Sequence, residues 1–479
     1  MKRLGCIAAF FLFPLVALAQ SPVVVTLHLG NSGPAIPDDF IGLSYESQHV
    51  LPDGNGSHLF SASNTALIKT FHLLGVQNLR VGGNTVDSGP IPSTADVDNL
   101  FAFAKAAGVD VIYTLKLKNS TAADNAPLAE HILTNHTANL TCFSVGNEPT
   151  TYTGSFYTYE SRVKSYMAAI GPRAKFCGAD VEDGGQWASA YANAFANAGN
   201  DPMVTEHHYL GNGRINGGAV GRNALLSART LKEYIKFFNG FGPTVAKDGF
   251  TFRLSETNSF YHGGALGASE TFASALWALD YLHWWAAHGA AGLNFHTGDT
   301  VSSQVGGPNK PALYAVFVSS MHGYHVHPLG YGVKAFDMGR HGAVVPVDLT
   351  NASGLNFTAY GVLAGDNNLY VTLINKEHDS GARSAKVTVV AGSSYARGEA
   401  MFLTALNSDV AATEGVTLGG AAINDDGIWN GSFSALPTPS QGKFTLDLPP
   451  ATAVVMHLQP DRTDAERLPL EIKTDNTKK

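Results

Sequence analysis

The stretch Thr141-Cys142-Phe143-Ser144-Val145-Gly146-Asn147-Glu148-Pro149 begins as an apolar strand and ends abruptly in Asn-Glu-Pro. A buried strand interior does not hold such a polar pair, so the chain leaves the core there. Residues 156–170 follow with apolar side chains at helical spacing, and Gly171 stops them. This is one strand–helix unit. Working outward, the same unit recurs in both directions. Strands are expected at 40–47, 78–84, 110–118, 141–148, 174–181, 203–210, 250–258 and 292–298. Helical stretches lie between them, among them 64–74, 95–107, 225–238 and 270–288. Eight such units in order predict a closed (β/α)8 TIM barrel. An open doubly wound sheet would place a Gly-rich phosphate loop after its first strand. Glu46-Ser47-Gln48-His49 stands there instead.

The flanks of the barrel read differently. Lys2 and Arg3 precede an apolar run that ends in Ala17-Leu18-Ala19, the pattern of a cleaved secretory signal over 1–19. The mature chain is therefore expected to be secreted or periplasmic, with no membrane segment after cleavage. After Gly323 the helical period gives way to short alternating strands, which predict a C-terminal β-sandwich over 326–460. The alternating segment within 20–37 is expected to add an N-terminal strand to that sandwich. The barrel then occupies 38–325, and 461–479 is a charged tail.

Composition excludes several classes. Charged residues are 15% of the 479, against about 25% in an average domain, and 44% are hydrophobic. That is too apolar for a disordered chain. The net charge of −8 becomes −10 without Lys2 and Arg3, which speaks against nucleic acid as a partner. Three cysteines make no disulfide scaffold. Cys142 and Cys177 read as two buried thiols, with a disulfide as the alternative.

In a barrel the reacting groups stand at the C-terminal strand ends. Those ends carry Glu46, Arg80, Asn147, Glu148, Asp180, His207, His208, Tyr209, Glu256 and His296. Glu148 ends the fourth strand and Glu256 the seventh. Glycoside hydrolysis needs two such carboxyls: one protonates the leaving oxygen, the other attacks the anomeric carbon or activates water. Glu148 in the acid role would need burial, or the charge of Glu256, to hold its proton near neutrality. His207 and His208 form half a metal site with no third ligand at convincing spacing, so neither a metal nor a cofactor is expected. Trp277, Trp284 and Trp285 lie at helical spacing and read as core. Glu46 and Asp180 are pocket candidates without a role.

These residues carry a resemblance. Gly146-Asn147-Glu148-Pro149 with the strand-seven Glu256 resembles retaining glycosidases whose catalytic glutamates stand on strands four and seven. Residues 254–264, Leu-Ser-Glu-Thr-Asn-Ser-Phe-Tyr-His-Gly-Gly, are similar to family 79 of the glycoside hydrolases, the β-glucuronidase and heparanase family. Ile41 to Glu46, Leu79 to Asn84 and Asn294-Phe295-His296 fit as well. The resemblance implies Glu148 as acid/base, Glu256 as nucleophile and Asn147 on the sugar 2-hydroxyl. It implies Tyr261 and the backbone N–H groups near Gly263 and Gly264 at the uronate carboxylate. Tyr209 is expected to donate to the nucleophile, Arg80 to orient it or brace the barrel floor, and His296 to line the pocket. The expected substrate is a glucuronide or a glucuronic-acid-bearing oligosaccharide, cleaved from its end. Endo action on a glycosaminoglycan-like polymer, a neutral sugar substrate, and a non-catalytic carbohydrate-binding role are the alternatives.

Overall fold

A computed structural model describes residues 21–196, 203–300 and 312–461. The expected signal segment and nearly all of the charged tail lie outside the described residues. Eight parallel strands form the central sheet: Ile41–Glu46, Asn78–Gly82, Asp110–Leu115, Leu140–Val145, Cys177–Val181, Met203–Tyr209, Thr251–Asn258 and Leu293–His296. They are numbered here as barrel strands one to eight. The hydrogen-bonded order is four, three, two, one, eight, seven, six, five. Strands four and five close the ring through a parallel bridge between Phe143 and Phe176. The predicted barrel is therefore present. Its strands are almost wholly buried, because side chains face the barrel interior on one side and helices on the other.

Cys142 and Cys177 are bonded, which corrects the reading of two free thiols. They lie near the starts of the two strands that meet at the closing seam, with Cα atoms 5.9 Å apart. Linear sequence hides that proximity, because a whole helix separates the two strands.

The helical period also resumes after Gly323. Pro328–Asp337 is a buried helix packed on Phe272–Ala287, and it completes the helical ring. Gly330 and Gly332 masked its apolar stripe. A Cβ at Gly332 would lie 2.2 Å from the Ala275 carbonyl oxygen, so close helix packing demands glycine there.

The sandwich has two sheets. Four strands run in the order Val347–Thr350, Ser21–Leu27, Ala385–Val390, Lys443–Leu448. The N-terminal strand thus joins the C-terminal sheet as expected, parallel to Ala385–Val390. The larger sheet includes Phe357–Leu363, Leu369–Asn375, Thr452–Pro460 and Tyr395–Ala405. Val25, Val371, Val387 and Met456 fill the space between the sheets. Ile374, Met401, Leu403 and Val455, on the larger sheet, share one core with the barrel helices. The three tryptophans at 277, 284 and 285 are buried, as read. Among the described residues no helix is long and apolar enough to cross a membrane.

Candidate active site

Arg80 is the hub at the strand ends. It is wholly buried on strand two. One guanidinium nitrogen donates to Glu256 Oε2 at 2.7 Å and to Ser44 Oγ at 3.2 Å. The other donates to Asn147 Oδ1 at 2.8 Å and lies 3.4 Å from Asp180 Oδ2. The backbone gives way to fit these charges. A Cβ on Gly82 would stand 2.4 Å from the guanidinium carbon, and one on Gly83, at φ +67°, would strike the Glu46 carboxylate.

Glu256 ends strand seven beside this cation. Tyr209 donates its hydroxyl to Glu256 Oε1 at 2.8 Å. His296 Nδ1 lies 3.8 Å from Oε2 and accepts or donates with Ser44 at 3.1 Å. Burial pushes the Glu256 carboxyl upward, but His296, His207, Arg80 and the Tyr209 hydroxyl outweigh it and hold it well below the usual carboxylate range. Glu256 is thus an anion fixed in place. Burial lowers His296 and His207, and neighbouring carboxylates more than reverse this, so both imidazoles are raised.

Glu148 stands just past strand four with φ +45°, a left-handed backbone that a glutamate rarely adopts. Its N–H donates to the Asp180 carbonyl at 2.9 Å, which holds the turn. His207 Nδ1 lies 3.2 Å from its Oε1. One carboxylate oxygen of Glu148, one of Glu256 and a ring nitrogen of His207 lie within 4.8 Å of one another, the imidazole closest to Glu148 at 3.2 Å. Those three groups are the donors that could hold a cation in the pocket. Both Glu256 oxygens already accept from Arg80 and Tyr209, so a metal would displace a cation and a hydroxyl. Asp98, His131 and His136 form a second convergent set on the outer helices, with both imidazoles 2.7 Å from Asp98 Oδ1.

A pocket of about 550 Å³ opens above the pair. Glu148, Glu256, Tyr209, His296 and Tyr261 all line it. Asn147 sits behind, buried between Arg80 and Asn84. Gly263 and Gly264 are not on the lining. The Gly263 carbonyl accepts from Leu313 N–H at 2.7 Å, and Gly264 backs closely on Tyr314. Their neighbours Tyr261 and His262 form that wall.

Sequence reasoning missed several lining groups. Glu182 and Asp183 follow strand five, and Tyr314 follows the eighth. The strand-end filter reaches Glu182 once strand five is carried one residue further. Glu182 is open to pocket water, yet the surrounding protein and the Glu148 charge push it up to about 7. His207 was weighed only as a metal ligand, whereas its buried ring joins Glu148 to Asp180. Among the described residues the lining carries Glu46, Glu148, Glu182, Asp183 and Glu256, and no Lys or Arg.

The eight-stranded barrel with its attached sandwich is an arrangement that solved glycoside hydrolases also adopt. No protein-family profile matches the chain. Over 121 residues it is 29% identical to a β-glucuronidase of Aspergillus niger, a match spanning 24% of this chain and 22% of that relative. Among solved structures it is similar to a 4-O-α-L-rhamnosyl-β-D-glucuronidase from Fusarium oxysporum, with TM-score 0.71, 19% identity, and 92% and 99% of the two chains covered. It is also similar to a family 51 arabinofuranosidase from Xanthomonas axonopodis pv. citri, with TM-score 0.68, 15% identity, and 92% and 100% covered. A bifunctional glucanase–xylanase from a metagenome library aligns with TM-score 0.61 and 13% identity over 92% of this chain and 99% of that one.

Proposed function

We propose that this chain is an exported retaining glycoside hydrolase that removes terminal β-D-glucuronic acid. Glu256 is the nucleophile and Glu148 the acid/base. The observation that carries the reading is that an oxygen of one carboxylate lies within 4.8 Å of an oxygen of the other. Retaining enzymes hold their pair about 5–5.5 Å apart, whereas inverting enzymes need about 6.5–9.5 Å to admit a water. In the first step Glu148 protonates the glycosidic oxygen while Glu256 attacks the anomeric carbon, which gives a covalent glycosyl-enzyme. In the second step Glu148 takes a proton from water, and that water displaces Glu256. Both steps use only these carboxyls and water, so no cofactor is required. Arg80, Tyr209 and His296 keep Glu256 ionised for attack. The glucuronide assignment rests on the resemblance of residues 254–264 and on the two glucuronidase relatives.

One observation favours a second reading, a neutral sugar. The described lining offers no Lys or Arg to a uronate carboxylate, so its recognition falls to Tyr261, His262 and nearby backbone. Steady-state kinetics on p-nitrophenyl β-glucuronide, β-glucoside, β-xyloside and α-L-arabinofuranoside separate the two. Preference for the glucuronide is expected, and preference for a neutral glycoside replaces it. Glu256→Gln should lose on the order of a thousandfold or more in kcat. Azide should rescue Glu256→Ala and give a glycosyl azide of the opposite anomer. If Glu256→Gln retains wild-type turnover, the assignment of the pair is wrong.

A further inference from the structure

Beyond Gly184 and Tyr209 the catalytic pocket continues into a second cavity of about 650 Å³. Those two residues line both spaces. The second lobe lies over strands five and six and the helices that follow strand six, Gly218–Leu226 and Ala228–Lys247.

Its position follows from the acid. Glu148 delivers its proton to the glycosidic oxygen, so the departing group must lie on the Glu148 side of the sugar. Going round the barrel from strand four, the next segments are Glu182 to Gly184 and then Tyr209 to Leu210. Strand six in turn pairs with strand seven, which carries Glu256. The lobe, entered past Gly184 on the strand-five side next to Glu148, is therefore open to a leaving group that Glu148 protonates.

Its chemistry differs from that of the catalytic pocket. Carboxylates and hydroxyls dominate the first space, whereas Leu210, Ala224 and the Phe237 ring form much of the second. Phe237 packs on the His208 ring at 4.7 Å between centroids. Burial pushes His208 down to about 3, so that ring is neutral at any working pH. The Thr230 hydroxyl is committed to the Ala224 carbonyl at 2.6 Å. Arg229 and Glu233 pair with each other, 3.5 Å apart at the exposed rim. A sugar seated on this floor would find polar partners only toward the rim, at Ser227, Arg229, Glu233 and Lys236, while a flat apolar group would bury carbon against carbon.

Accepting the retaining-glycosidase reading, we infer that this lobe is the leaving-group site and that it takes an aglycone with a flat apolar face, an aryl group. The test uses the full chain and two substrates that share whichever sugar it turns over, the 4-methylumbelliferyl glycoside and the methyl glycoside. Phe237→Ala removes the floor and Ala224→Trp fills the lobe. Each should lower kcat/KM on the aryl glycoside about tenfold, the size of one lost aromatic contact. Each should leave the methyl glycoside within about twofold, which is below half a kcal/mol. Equal losses on both substrates, or no loss on either, overturn the inference. A second arm needs no turnover and keeps the two claims apart. Free 4-methylumbelliferone is titrated onto wild type and both variants by fluorescence. Saturable binding that both variants lose supports the lobe even if no glycoside is cleaved. No saturable binding to wild type overturns it.

Discussion

Arg80 concentrates the electrostatics of the site in one side chain. Its planar fork holds Glu256 with one nitrogen and Asn147 with the other, a division that a lysine ammonium cannot copy. It also offsets Asp180, a second buried carboxylate that Ser255 supports at 2.5 Å. Burial pushes Asp180 upward, and Arg80, His207 and Ser255 bring it below its usual value. Both carboxylates are thus depressed in the fold. Their pairing stabilises the native state above the ordinary carboxylate range and is lost as the pH falls through their native values. Arg80→Ala should therefore cost about 3–5 kcal/mol at pH 7, because it leaves buried anions uncompensated. At pH 3 the penalty should shrink, since protons can then neutralise what the cation no longer does. Arg80→Lys keeps a charge in place, so it should fold near normally while losing about a hundredfold in kcat/KM, as misplaced reacting groups do. Urea titrations at the two pH values, beside kinetics on the lysine variant, check both halves. An alanine variant as stable as wild type at pH 7 would remove Arg80 from this role.

At the scale of elements, the weak point of the barrel is the seam between strands four and five. Every other neighbouring pair shares a ladder of at least two residue pairs, some with register shifts, whereas these two meet at one bridge. The disulfide Cys142–Cys177 crosses that seam and closes a loop with sequence separation 35. Chain entropy assigns a loop of this size about 3–4 kcal/mol. Cys142→Ser with Cys177→Ser should lower the unfolding free energy by that amount, and reductant should do the same to wild type but nothing to the variant. Glu148 stands just past strand four and Asp180 near the end of strand five, so activity should decline at lower denaturant in the variant than in wild type. The elements also show what the sequence makes legible. Each barrel strand is a short apolar run with a polar end, and that local pattern marks Arg80, Glu148, Tyr209, Glu256 and His296 without any partner information. The disulfide and the Glu148–His207–Asp180 chain are contacts between separate strands, which periodicity does not encode. Pro328–Asp337 was hidden for a packing reason, since its glycines answer to Ala275 and Val316 rather than to helix propensity.

For the whole molecule the question is whether the sandwich is a separate module or part of the enzyme's frame. Asp280 decides it. It lies on the helix Phe272–Ala287, which backs strand seven, the strand that presents Glu256. Its carboxylate accepts from Thr358 at 2.8 Å, Tyr360 at 2.6 Å and the Lys376 ammonium at 2.6 Å, all three from the sandwich. His283, one turn along, stacks on Tyr360 at 4.9 Å. Around these polar contacts the core is continuous, since Ile374, Met401 and Leu403 belong to the same cluster as the barrel helices. Barrel and sandwich should therefore unfold in one transition, and the sandwich should not be removable without loss of the barrel. Lys376→Ala should cost about 3–5 kcal/mol, because it strands Asp280 as a buried unpaired charge. The double variant Asp280→Asn with Lys376→Met should recover much of that loss, as replacing both members of a buried pair commonly does. Calorimetry on the wild type and both variants reads the outcome. Two separate transitions in wild type, with only one shifted by Lys376→Ala, would make the sandwich an independent appendage and leave strand seven supported by the barrel alone.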